Sequence, residues 1–451
     1  MELIKAKIYN KKLISIIMKK HFQFIFLFAG IIFFIGGNIL NAQGITYYSA
    51  GNLPANLLSS WVMGENGSMK NPANFTSGDT FIIRSGHKMK TTGEWKISGN
   101  YSALCIEEDG VLEANNPISL SPGTIFFIDN GGKYLHNYSE NNNNTPSIFK
   151  GTNKFRYNST VEILKWNYSE ATGEIADFPE GITWGNLTLK WHPEVNDWSL
   201  FTSSSVVEGN FTIDVNNDEH FISMDKEGTG LVFRVGGDFI IKSGTLYYST
   251  GILPGKNLFI LDIAGNYKQT GGKFAHIQNS SPLTINLKGF EKSFAYTNGI
   301  LDVSNINWVI DVLACYSLES NISVDKNGSM TVGVLGTLDC SSYSVTGEGD
   351  FTLSKGATLK TSHISGVNGS ISVAGIKTLT PATTNYVFYG DYPQITGSLI
   401  PSAINDLTIN NKSGEGVTLS KSITIGNTLY MSQGKIRTLN NVDKLILGRS
   451  Y

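Results

Sequence analysis

Short apolar bursts with the parity of strands recur along most of this chain, and a glycine paired with aspartate or asparagine opens many of them. Gly237-Asp238-Phe239-Ile240-Ile241 is followed by Gly244, and Gly265-Asn266-Tyr267 by Gly271-Gly272. Gly349-Asp350-Phe351-Thr352-Leu353 precedes Gly356, and Gly426-Asn427-Thr428-Leu429-Tyr430-Met431 precedes Gly434. Side chains alternate along a strand, so Phe351 and Leu353 point one way and Thr352 and Ser354 the other. The flanking glycines permit positive φ and sharp turns between strands. Beyond residue 43 no window keeps apolar residues at the 3.6-residue spacing of a helix.

One such unit cannot bury its apolar side alone, whereas stacked copies can. The pattern therefore predicts an all-β chain, a right-handed parallel β-helix (β-solenoid) from about residue 75 to residue 447. The interval between the first two units, from Gly237 to Gly265, suits one coil with a loop. Phe239, Ile241, Phe351, Leu353, Leu429 and Met431 are its expected stacked core. A larger repeat is also visible. Trp184-Gly185-Asn186-Leu187 is echoed far downstream by Asn405-Asp406-Leu407, and Gly209-Asn210-Phe211 by Gly426-Asn427-Thr428. Four segments follow: 1–42, an export signal; 43–150, an N-terminal cap and the first coils; 151–379, a β-helix module; and 380–451, the start of a second, incomplete one. Leu445-Ile446-Leu447 reads as a strand and not as a cap. An uncapped solenoid end exposes an unpaired strand edge, so the chain is expected to be a fragment that self-associates through its C-terminal end.

The first 42 residues read as an address. Met18-Lys19-Lys20 forms a charged start, with residues 1–17 as an over-extended beginning, and residues 22–35 are an apolar run. Leu40-Asn41-Ala42 offers cleavage near Ala42. The competing reading is an uncleaved anchor, but Gly36, Gly37, Asn38 and Asn41 break the run where a signal peptide ends. No membrane span is expected after cleavage. Cleavage removes six lysines and one acid, which leaves 29 basic and 36 acidic residues. That mildly acidic balance argues against a nucleic-acid partner. Charged residues make up 16% of the chain, against a usual ~25%. Polarity comes instead from Asn, Ser, Thr and Gly, as in secreted β-proteins. Cys105, Cys315 and Cys340 are too few for a disulfide scaffold. Cys315 and Cys340, about one coil apart, are expected to stack, as two buried free thiols or as a bridge.

Ile45-Thr46-Tyr47-Tyr48-Ser49, Trp61, Gly78-Asp79-Thr80-Phe81-Ile82-Ile83 and Trp95-Lys96-Ile97 follow one another in short strand-like runs. This layout, with the phenylalanine-rich leader ending in Asn41-Ala42-Gln43, resembles the N-terminal region of large secreted β-helix proteins of Bacteroidetes. Many of those are adhesin-like and exported by the type IX secretion route. The resemblance implies a secreted or outer-surface location and a C-terminal sorting domain, which this sequence does not display. It carries no catalytic residues.

Candidate chemistry is sparse. Asp214, Asn216 and Asp218 match the start of a calcium loop, but Glu219 stands where its glycine belongs, and a solvated polar loop is the alternative. Trp184 and Trp198 flank the strand that carries Leu187 and Leu189. Parity places Trp191 in the core and leaves Trp184 and Trp198 as candidate exposed platforms for sugar rings; the alternative is that all three fill the interior. Asn141–Asn144 reads as a loop that stacks between coils. The chain has no Gly-x-Ser-x-Gly, His-Glu-x-x-His, Cys-x-x-Cys or phosphate-loop motif. Three functions remain: a structural or adhesive surface protein, the favoured one; a carbohydrate-binding surface protein; and a polysaccharide lyase or glycosidase. The last needs two carboxylates facing each other across a cleft.

Overall fold

The computed structural model describes residues 44–64, 70–191, 198–201, 203–216, 221–225, 231–248, 259–275, 282–440 and 442–448. Residues 1–43, which include the expected export signal, and the calcium candidate Asp218 lie outside them. The chain is a parallel β-solenoid of about 14 turns. Its long face is one 16-stranded sheet that runs from Lys88–Lys90 to Leu445–Leu447. A second face begins as a six-stranded sheet and resumes as a nine-stranded one, from Thr183–Trp184 to Lys377–Leu379. The third face is broken into smaller sheets. One coil therefore reads second face, long face, third face, as in Ser205–Val207, Phe211–Asp214 and Phe221–Asp225. Helical turns among the described residues are confined to Leu58–Ser60, Ser147–Lys150 and Gly366–Ser370.

Alternation sends every second residue inward, and identical parity in stacked strands builds columns. Phe211, Phe239, Tyr267 and Phe294 form one, with successive ring centroids 5.8, 5.7 and 4.9 Å apart. Coil length varies around this constant core. The coil that carries Phe239 to its partner Tyr267 is long, whereas the one that carries Tyr386 to Leu407 is distinctly shorter. Corners and loops absorb the difference. At the start of the second face, Trp61–Met63 runs antiparallel to Thr46–Ser49, and the buried Trp61 indole donates to the Ala55 carbonyl at 2.8 Å.

The recurring glycine-Asx unit has a specific physical role. Its second glycine is the one that needs a left-handed backbone: φ is 82° at Gly244, 63° at Gly272, 73° at Gly356 and 92° at Gly434. Its first glycine does not. At Gly237, Gly265 and Gly349 the previous coil is simply too close for a side chain, whereas Gly426 has room for one. A Cβ on Gly237 would lie 2.7 Å from the carbonyl carbon of Gly209, and one on Gly265 would overlap the Gly237 carbonyl. The Asx side chain then caps the next coil. Oδ1 of Asn186 accepts the Asn210 amide, Asn210 that of Asp238, Asp238 that of Asn266, and Asn266 that of Ser293, all at 2.7–2.9 Å. The device returns at Asp406, which accepts the Thr428 amide at 2.9 Å. The Gly349-Asp350 copy sits at a different corner, entering the second face, and Asp350 accepts the Ile376 amide. The motif thus marks a stacking device and not a fixed place in the coil.

Several expectations are corrected. Phe239, Ile241, Phe351 and Leu353 are fully buried, but Leu429 is half-buried and Met431 is exposed. Both pair inward-facing with Leu407 and Ile409. Among the described residues, however, only Ile423–Ile425 of their strand is covered by a further strand. Cys315 and Cys340 are free, Cys315 is only half-buried, and they do not stack: Cys315 faces Thr337. The Asn141–Asn144 loop does stack on the next coil, where buried Asn167 donates to the Asn144 carbonyl at 2.7 Å and Asn141 accepts the Glu170 amide.

Phe351→Ala should cost ~3–5 kcal/mol, because it empties a fully packed site, and Met431→Ala less than about 0.5 kcal/mol. Urea denaturation midpoints of the two variants check both.

Candidate functional site

The corner between the second and long faces is built in two lengths. Over four coils it is short. Only residues 185–186 separate the inward Trp184 and Leu187, and residues 208–210, 236–238 and 264–266 span the same gap in the next three. On either side it is long. Residues 156–160 span it before this stretch and residues 288–293 after it. The short corners are those where glycines let the backbones close up, so the surface dips. The dip is a groove of about 580 Å³. Val206, Val235, Gly236 and Ala264 line it, with Tyr157 of the preceding long corner at one end and Lys288 of the following one at the other.

Three charges of the groove meet, while Glu208 at its edge is exposed. Asp262, buried on the outer side of the second face, accepts from Lys288 Nζ at 2.8 Å and from Asn286 Nδ2 at 2.8 Å, and Arg234 Nε lies 3.7 Å away. Similar brackets cross the long face. Glu162 is held by Lys133 and Lys190, Asp238 by Lys268 at 2.6 Å, and Asp339 by Lys360 at 2.7 Å and by the Tyr389 hydroxyl at 2.6 Å. Partial burial works to raise the pKa of Glu162 and of Asp238, but the lysine hydrogen bonds outweigh it and hold both carboxyls below their ordinary range. A second depression, of about 620 Å³, lies over the first strands of the long face among Lys88, Lys90, Glu113 and Lys133.

The residues singled out from the sequence are not brought together. Trp184 and Trp198 are each 1% exposed and offer no face to a sugar. Trp184 packs on Phe149, Phe155 and Phe178, and Trp198 on Trp166 and Phe178. Parity counted back from Leu187 failed because the chain turns its corner at Gly185, and each face sets its own parity. Trp191, expected in the core, is half-buried just past the end of Asn186–Leu189. Of the calcium candidates, Asp214 faces Lys242 Nζ at 3.7 Å and accepts the Ser243 hydroxyl, and Asn216 is exposed. Among the described residues no group of three His, Cys, Asp or Glu side chains is placed to hold a metal ion. No helix among them is long and apolar enough to cross a membrane.

The imidazole of His136 is sealed inside. His136 packs against Tyr138 and Trp166, its Nδ1 lies 2.9 Å from the Tyr134 hydroxyl, and its Nε2 has no hydrogen-bond partner. Burial pushes its pKa down to about 3. Scans against protein-family models, curated proteins and solved structures each found no match.

The His136 environment generates a pH prediction. The folded state keeps the imidazole neutral, while the unfolded chain takes up a proton near pH 6.5. The stabilisation is therefore complete above pH 6.5 and is lost as pH falls toward 3, by about 1.4 kcal/mol per pH unit. Urea midpoints between pH 6.5 and 4.5 lie above the window in which Glu162 and Asp238 contribute. There they should fall in the parent and be flatter in His136→Gln.

Proposed function

We propose that this protein is a secreted or cell-surface scaffold with a structural or adhesive role and no catalytic one. The observation that carries the reading is the pairing of Glu162, Asp238, Asp262 and Asp339 with lysines of neighbouring coils. A glycosidase or lyase site needs a carboxyl or another base poised near working pH. Glu162 and Asp238 are held ionised by lysines of neighbouring coils and act as brackets between strands. The charged start at Met18-Lys19-Lys20, the apolar run and the Ala42 site support export, and the resemblance to type IX cargo of Bacteroidetes supports the outer surface as its destination. A rigid stack of coils suits display of a long face.

A carbohydrate-binding role is a second reading. The half-exposed Tyr157 ring at the mouth of the groove favours it, in place of Trp184 and Trp198.

Protease shaving of intact producing cells should release peptides from residues 44–448 without lysis, and the purified chain should liberate no reducing ends from soluble polysaccharides. Retention inside the cell would refute the location, and depolymerisation would refute the non-catalytic role.

A further inference from the structure

Beyond the groove, the same corner becomes a ridge. Phe290, Val312 and Val334 occupy the tips of three successive long corners, with Leu313 and Leu335 beside two of them, and all five are between 47 and 68% exposed. Leu313 and Leu335 also sit in the left-handed region, at φ 63° and 58°. The matching turns elsewhere use Gly86, Gly131 and Gly356, or Asp109, there. A leucine strained into that conformation with more than half of its surface in water is a poor choice for folding alone. Contiguous exposed apolar side chains of this kind mark a contact surface.

We propose that the ridge docks into the groove of a second copy, giving an antiparallel two-fold dimer. The inference stands on corner geometry and is independent of export or adhesion. Groove and ridge each cover three coils of one corner, and both copies stack coils at the same strand spacing. A two-fold axis between the 264–266 corner and the 288–293 corner sets Phe290 over Ala264. The same axis sets Val312 and Leu313 over Gly236, and Val334 and Leu335 over Val207 and Glu208. Every contact is made twice, as an isologous interface requires. Charge agrees with this alignment. The exposed Arg234 comes opposite the half-exposed Asp311 of the second copy. Ten exposed apolar side chains, five from each copy, leave water together.

Sedimentation equilibrium on the full chain tests this. The parent should show a reversible monomer–dimer equilibrium. Leu313→Asp with Leu335→Asp should weaken dimerisation on the order of 100-fold, as loss of central anchors does, while Ile376→Asp, an exposed apolar position on another corner, should not. Arg234→Asp should weaken the dimer, and adding Asp311→Arg in the same chain should restore it, with circular dichroism unchanged throughout. A monomer at every concentration overturns the proposal. So does a dimer indifferent to the ridge, or one not restored by the charge swap. Binding of the ridge to lipid vesicles or to a glycan with no dimer present overturns it equally.

Discussion

Parallel coils stacked in register bring each corner of the backbone against the corner before it, and everything else in this solenoid depends on how that approach is accommodated. A strand ladder satisfies its own amides, but a corner breaks the ladder and leaves N–H groups facing the neighbouring coil. The chain answers with two adjacent residues. A glycine at 237 or 265 removes the Cβ that would strike the preceding carbonyl, and an Asx at 210, 238 or 266 supplies an oxygen to the next exposed amide. The interior then follows, because a corner held in register keeps Phe211, Phe239 and Tyr267 in one column.

Corner length also shapes the surface. Where two or three residues make the turn, backbones close up and a groove forms; where five or six do, side chains are pushed outward. The polar exterior near the groove is occupied by inter-coil brackets such as Lys288–Asp262 and Lys268–Asp238, which tie neighbouring turns together. Surface ion pairs of this kind add little stability one by one, so their role is registry more than strength.

The solenoid was legible because its units repeat, and so were the buried Phe239, Ile241, Phe351 and Leu353. The Gly-Asx unit was recognised as a turn, but its two glycines serve different ends, and only the contact of Gly237 with Gly209 distinguishes them. For Trp184 and Trp198 the interior alternative is the one that holds: Trp184 lies beyond the Gly185 corner and Trp198 opens a strand on another face, so parity counted along Asn186–Leu189 reaches neither. Met431 has inward parity, yet parity gives orientation and not cover. The groove went unseen because it is a property of stacked corners, although the short spacing from Val207 to Phe211 is its trace in the sequence. Arg234, Asp262 and Lys288 are distant from one another in the sequence and meet only because each interval between them is one coil long.

The most direct test of the corner account is hydrogen exchange at the Asn266 amide in the parent and in Asp238→Ala. The Asp238 carboxylate accepts that amide at 2.8 Å. Slow exchange is predicted in the parent. In the variant a large acceleration is predicted at Asn266, with the amides of Asn210 and Asp238, capped by the coils before, unchanged. Equal protection of Asn266 in both proteins, or fast exchange in the parent, would contradict the account.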